Sequence, residues 1–83
     1  MRVLKFYADW CGPCKALSKV ISDAGDSIKV PIEEIDIDKL SKVAIEFGVR
    51  SVPTMILLDE NNNELKRKVG AMGEKELFQF LKV

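Results

Sequence analysis

The 83-residue sequence has no histidine and only two cysteines. A structural zinc site needs four ligands, usually cysteine and histidine. Two cysteines could complete such a set only by sharing an ion across a dimer or by recruiting carboxylates. Two cysteines in a reducing compartment are more often catalytic or metal-binding than structural. Charge of one sign is missing too: thirteen basic and thirteen acidic residues cancel. No global field is left to hold nucleic acid or an anionic membrane. No apolar run approaches a membrane span. Internal repeats, linkers and low-complexity segments are absent. Met1-Arg2-Val3-Leu4-Lys5 moves straight into a strand pattern, with no signal-peptide core or cleavage site, so the cytoplasm is the default expectation.

What remains is an ordinary globular composition, 47% hydrophobic and 31% charged, and a length that suits one domain over residues 1–83. Residues 2–8 are nearly continuous in apolar side chains and read as a strand buried on both faces, interrupted by Lys5. Leu17, Val20, Ile21 and Ala24 recur at helical spacing, which predicts a helix from Cys11 to about Ala24, stopped by Gly25. Pro31 to Ile37 reads as a second strand. The intervening helix makes it parallel to the first through a right-handed crossover. The spacing predicts a short helix over Lys39 to Phe47, with Leu40, Val43, Ala44 and Phe47 inward and Gly48 closing it. Thr54–Leu58 and Glu64–Val69 form a hairpin around the turn at 59–63. Gly70–Gly73 is a loop, and the last helix presents Leu77, Phe78 and Leu81 to the core. The acids between Glu33 and Asp38 alternate with isoleucines and lack ligand spacing, so they read as a solvated strand end. Lys66, Arg67 and Lys68 read as charges of an edge strand, where they discourage unwanted pairing.

One stretch concentrates the chemistry. Trp10-Cys11-Gly12-Pro13-Cys14-Lys15 holds both cysteines and lies where the first strand gives way to the first helix. Gly12 lets the backbone turn without a Cβ clash, and Pro13 fits the first helical turn, where its missing N–H is not needed. Unpaired N–H groups and the positive end of the helix dipole stabilise a thiolate on Cys11. Cys14, one turn on, faces inward with its sulfur within reach of Cys11. The spacing therefore suits a reversible dithiol rather than two inert thiols.

Trp-Cys-Gly-Pro-Cys-Lys at 10–15, Phe6-Tyr7-Ala8-Asp9 before it, and Ser51-Val52-Pro53-Thr54 and Val69-Gly70-Ala71 after it stand in the order of the thioredoxin family. From about Val3 onward the chain resembles that family closely, although its size is nearer a glutaredoxin's. The resemblance implies an α/β architecture, the minimal thioredoxin fold β-α-β-α-β-β-α. Its four-stranded mixed sheet, in spatial order 2-1-3-4, is flanked by three helices, the first and third on one face and the second on the other. It implies a thiol–disulfide oxidoreductase, a general protein-disulfide reductase in which Cys11 attacks a substrate disulfide and Cys14 resolves the mixed disulfide. It further implies a monomer that acts on disulfide-containing proteins and needs no cofactor beyond its own cysteine pair. A thioredoxin reductase would recycle it.

The same resemblance assigns supporting residues. Trp10 is either core or a shelf beside the sulfurs, and the family favours the shelf. Pro53 alone would read as a trans proline ahead of a strand. In the family it is cis and faces the disulfide, and the residue before it pairs with substrate as an added strand. Gly70 and Ala71 are a simple turn or, in the family, a small-residue loop leaving room for the partner chain. Val52, Ile37 and Trp10 would complete an apolar rim. Lys5 is a departure, because the family has a buried aspartate six residues before its first cysteine and a lysine on the neighbouring strand. Here Lys5 and Glu34 occupy those places with the charges exchanged. Either Lys5 threads its stem to water, or it pairs with Glu34, which then becomes the proton acceptor for Cys14. The concerted exchange of sign favours the pair. Two rival functions remain: a disulfide-introducing oxidase or isomerase, which usually carries histidine between the cysteines, and a binding module serving as an assembly subunit.

Overall fold

The computed structural model describes residues 1–82. Its elements are β1 (Arg2–Tyr7), α1 (Gly12–Ala24), a 3-10 turn (Gly25–Ser27), β2 (Ile32–Asp36), α2 (Ser41–Glu46), β3 (Thr54–Leu58), β4 (Glu64–Val69) and α3 (Glu74–Leu81). The sheet runs β2-β1-β3-β4, with β1 parallel to β2 and antiparallel to β3, and β3 antiparallel to β4. This is the expected mixed sheet. Its centre is the β1–β3 pair, and every residue of β3 is buried.

Alternation along β1 divides the core into two. Val3 points to one face, where it meets Leu17 and Ala24 of α1, Met55 and Leu57 of β3, and Leu77 and Phe80 of α3. Leu4 and Phe6 point to the other face, with Ile35, Ile56, Leu58 and Ala44 of α2. So α1 and α3 share one face and α2 covers the other, as the resemblance implies. Each fully buried Leu or Ile contributes about 1.5–3 kcal/mol.

Several boundaries and faces differ from the sequence expectation. β1 ends at Tyr7, because the Ala8 carbonyl turns to accept from the Cys11 N–H at 3.1 Å. β2 starts at Ile32 rather than Pro31; proline has no N–H for the ladder, although its carbonyl still accepts from Val3 at 2.9 Å. α2 is shorter than predicted and Leu40 is not inward. Leu40 caps the helix with φ −119 and ψ 51, outside helical phase, and is 46% exposed. In α3 the centre of the buried stripe is Leu77 and Phe80, three apart, with Phe78 and Leu81 only flanking it. Asp36 is buried rather than solvated. Its carboxylate accepts from the backbone N–H groups of Asp38 at 2.9 Å and Lys39 at 3.3 Å, which folds the chain over the end of β2.

The basic residues of edge strand β4 are engaged locally. Arg67 pairs with Glu64 at 2.7 Å and donates to the Phe47 carbonyl at 2.7 Å, and Lys68 lies 3.4 Å from Glu76. The Arg67 hydrogen bond holds the Glu64 carboxyl below its ordinary value. Both partners are partly exposed, so water screens the pair and its contribution is small.

The position of Phe80 has a direct consequence. Phe80→Ala empties part of the α1–α3 core and should cost about 3–5 kcal/mol, a large part of the stability of so small a domain. Phe78→Ala, on the flank of the stripe, should cost clearly less. Denaturant midpoints of the two variants check the order, and equal losses would contradict this packing.

Candidate active site

The loop between β1 and α1 carries the two cysteines to the end of the sheet. Cys11 is the N-cap of α1, with extended backbone angles of φ −91 and ψ 107. A cap residue offers its side chain to the free N–H groups of the first turn, and here that side chain is a sulfur. The Cys14 N–H donates to Cys11 Sγ at 3.1 Å. Pro13 lies in the first turn, where it removes a donor that would have no helical partner. Cys11 and Cys14 are joined as a disulfide, with Cα atoms 5.3 Å apart. Breaking that bond leaves a sulfur at the helix start with one N–H aimed at it and the dipole behind it, the setting in which a thiolate is favoured.

Gly12 differs from expectation. A Cβ built on it meets nothing within 4 Å, and its φ is outside the left-handed region. Neither the turn nor a close contact within the chain requires glycine there. Its open side faces solvent next to the sulfurs.

Around the disulfide the structure gathers a small apolar cluster. Ala8, Cys11 and Cys14 are buried, with Tyr7, Ile37 and Val52 packed against them. The Val52 carbonyl oxygen is 3.7 Å from Cys11 Sγ, a contact, since the disulfide sulfur carries no proton. The Val52–Pro53 bond is cis. Pro53 is buried, and its carbonyl accepts from the Gly70 N–H at 2.8 Å, which ties the 70–71 loop to the Pro53 loop. Gly70 has φ +96, a conformation that side-chain-bearing residues rarely adopt, and Ala71 beside it is exposed. Trp10 is not core: its ring is 69% exposed, and Nε1 donates to Asp38 Oδ2 at 3.1 Å. Val52 and Ile37 thus reach the sulfur cluster, while Trp10 stands out from the surface on a tether.

Lys5 lies beneath α1. It is 1% exposed, and its ammonium donates to Glu34 Oε1 at 2.9 Å and to Ser18 Oγ. Its stem does not thread to water; the exposed partner is Glu34, at 56%. Among the described residues, no group of three or more cysteine, aspartate or glutamate side chains is arranged to hold a metal ion.

The family model for thioredoxin matches residues 1–83. A thioredoxin of Rickettsia typhi is 36% identical over 81 residues, spanning 95% of this chain and 76% of the relative. One of Chlamydia muridarum is 38% identical over 80 residues, with 95% and 78% covered. Among solved structures, a thioredoxin from Nicotiana alata superposes with a TM-score of 0.84 at 42% identity, covering 95% of this chain and 68% of that one. The chain belongs to the thioredoxin family. With its Cys11–Cys14 pair it is a thiol–disulfide oxidoreductase. No described helix of this thioredoxin is long and apolar enough to cross a membrane.

Three residues that touch this site were not singled out from the sequence. Asp38 anchors Trp10, Tyr7 packs on the cysteine cluster, and Ser18 meets Lys5. The last two carried a signal. Tyr7 shares a strand face with Lys5, two residues away, and Ser18 shares a helix face with Cys14, four residues away. The Trp10–Asp38 bond spans 28 residues and depends on the turn that Asp36 makes.

The cap geometry makes the two thiols unequal. In the reduced protein, iodoacetamide at neutral pH should modify Cys11 faster than Cys14, read by peptide mass mapping. Faster labelling of Cys14 would contradict this assignment.

Proposed function

We propose that this thioredoxin works as a general protein-disulfide reductase, with Cys11 as nucleophile and Cys14 as resolving thiol. The observation that carries the reading is the cap hydrogen bond from the Cys14 N–H to Cys11 Sγ, because it favours the thiolate on the sulfur at the helix start. Cys11 attacks a substrate sulfur and forms a mixed disulfide, and Cys14 then attacks Cys11 Sγ and releases the substrate as a thiol. In this reading Glu34 takes the Cys14 proton by way of solvent, since its carboxylate is half exposed while one oxygen is bound to Lys5.

Val52, Pro53, Ile37, Gly70 and Ala71, with Trp10 projecting beside them, form the face that receives the substrate chain. The support is their shared surroundings: Val52 and Ile37 pack at the sulfurs, and the Pro53–Gly70 hydrogen bond joins the two loops. Gly12, open to solvent, and Pro13 keep that approach unobstructed. Val52, Ile37 and Trp10 offer apolar contact area, which suits many disulfide-containing proteins rather than one. The protein acts as one domain and as a monomer, needs no bound cofactor beyond the cysteine pair, and works in the cytoplasm, where a flavoprotein thioredoxin reductase returns its electrons.

Insulin reduction by dithiothreitol tests the reading. The protein should accelerate it, Cys11→Ser should abolish the acceleration, and Cys14→Ser should trap mixed disulfides. A wild-type protein without effect would contradict the reading and favour an assembly subunit.

A further inference from the structure

A cation buried to 1% exposure inside an apolar core is costly, and its surroundings show what it could serve. Lys5 sits on the α1 face of β1. Its ammonium is bound on one side to Ser18 of α1 and on the other to Glu34 of β2, and it lies 5.7 Å from the centre of the Tyr7 ring. Both the helix contact and the ring lead to the cysteines. Ser18 is four residues beyond Cys14 on α1, so the two share one face about one helical turn apart. Tyr7 itself packs against the Cys11–Cys14 cluster. The charged and titratable groups on this face are Glu34 and Asp36 of β2, Tyr7 of β1 and, one helical turn before Ser18, Cys14 of α1; the Asp36 carboxylate is turned to the end of β2, where it accepts from the Asp38 and Lys39 N–H groups. From β3 the register partner is Met55, which is apolar. The counter-charge is on the wet side. Glu34 is 56% exposed and water screens it, whereas the ammonium is enclosed and donates to Ser18, so the positive member of the pair is the one held against α1.

We propose that Lys5 is a positioning residue for the second half of the reaction: its enclosed ammonium, held against α1 by Ser18, lowers the proton affinity of the Cys14 thiol. The inference rests on the reductase reading above. In the step concerned, Cys14 gives up its proton to water and through it to Glu34, and the resulting thiolate places an electron pair on Cys11 Sγ. The bond from Cys11 to the substrate sulfur breaks. That sulfur leaves with the bonding pair and takes up a proton, and the Cys11–Cys14 bond forms. Two electrons pass from the dithiol to the substrate, and no further oxidant or reductant is needed. A positive charge near Cys14 favours the thiolate at neutral pH and so speeds this step.

The test compares wild type with Lys5→Met and Lys5→Arg. Thiolate absorbance of the reduced protein is titrated, and release of a preformed mixed disulfide with a small aromatic thiol is timed across the same pH range. Lys5→Met removes the charge but keeps an apolar side chain of similar length, and leaves Glu34 free in water. It should raise the higher of the two thiol titrations by about one pH unit and slow release at neutral pH roughly tenfold. The rate should recover at alkaline pH. Lys5→Arg should restore the wild-type profile. A merely structural role would slow release equally at every pH or leave it unchanged, and either result overturns the proposal. If Lys5→Met does not fold, Ser18→Ala, a small change at a residue of α1 that water still reaches, carries the test: it should move the titration in the same direction by a smaller amount, and no movement overturns the proposal. The titration needs no protein substrate. A wild type inactive on insulin would contradict the reductase reading, whereas an unmoved thiol titration contradicts only the role of Lys5.

Discussion

The start of α1 is the constraint on which the site depends. A helix must begin with N–H groups that have no partner behind them, and one of them, the Cys14 N–H, finds its acceptor in a sulfur. Because Cys11 is the cap, Cys14 falls in the first turn, close enough for a disulfide yet facing the core. Moving the helix start by one residue would separate the sulfurs and point the N–H elsewhere. The rest of the fold holds that start in place. Leu17 and Ala24 dock α1 on β1 and β3, and the Ala8 carbonyl accepts from Cys11 to set the turn that leads into it.

A second constraint comes from β1, which carries buried residues on both faces. Its apolar positions need no explanation beyond packing, but Lys5 does. A lone ammonium at that place would be strongly unfavourable. It is tolerated because Glu34 stands at the same level on the parallel neighbour β2, and because Ser18 supplies a second acceptor from above. Among the described residues no buried side-chain polar atom lacks a hydrogen-bond partner, so the core meets this demand in full.

Element order and the cysteine pair were legible in the sequence because each rests on local signals: a β-rich run, a helical period, a Gly-Pro between two thiols; the sheet order was legible only through the family resemblance. The Lys5–Glu34 pair was legible from the exchange of sign at two positions. What stayed hidden depends on contacts between distant segments or on the phase of a helix end. Leu40 looked inward by spacing, but it precedes the helix and lies out of its phase. The core face of α3 read as Leu77, Phe78 and Leu81 without Phe80, because in a helix of eight residues several stripes fit the same apolar set, and only docking on α1 selects one. Asp36 looked like one more solvated acid until its carboxylate was seen to cap the turn that brings Asp38 to Trp10. Gly12 had the opposite history: its presumed steric duty within the chain is absent.

The central claim is that Cys11 and Cys14 form one reversible two-electron couple at the start of α1. Equilibration of the protein against graded mixtures of reduced and oxidised dithiothreitol, with acid quenching and thiol counting by mass, tests it most directly. The account predicts a single transition in which both thiols appear together, following a two-electron slope of about 30 mV per tenfold change in the equilibrium constant. Thiols that appear in separate steps, or that are consumed in disulfides between chains instead of within one, would contradict it.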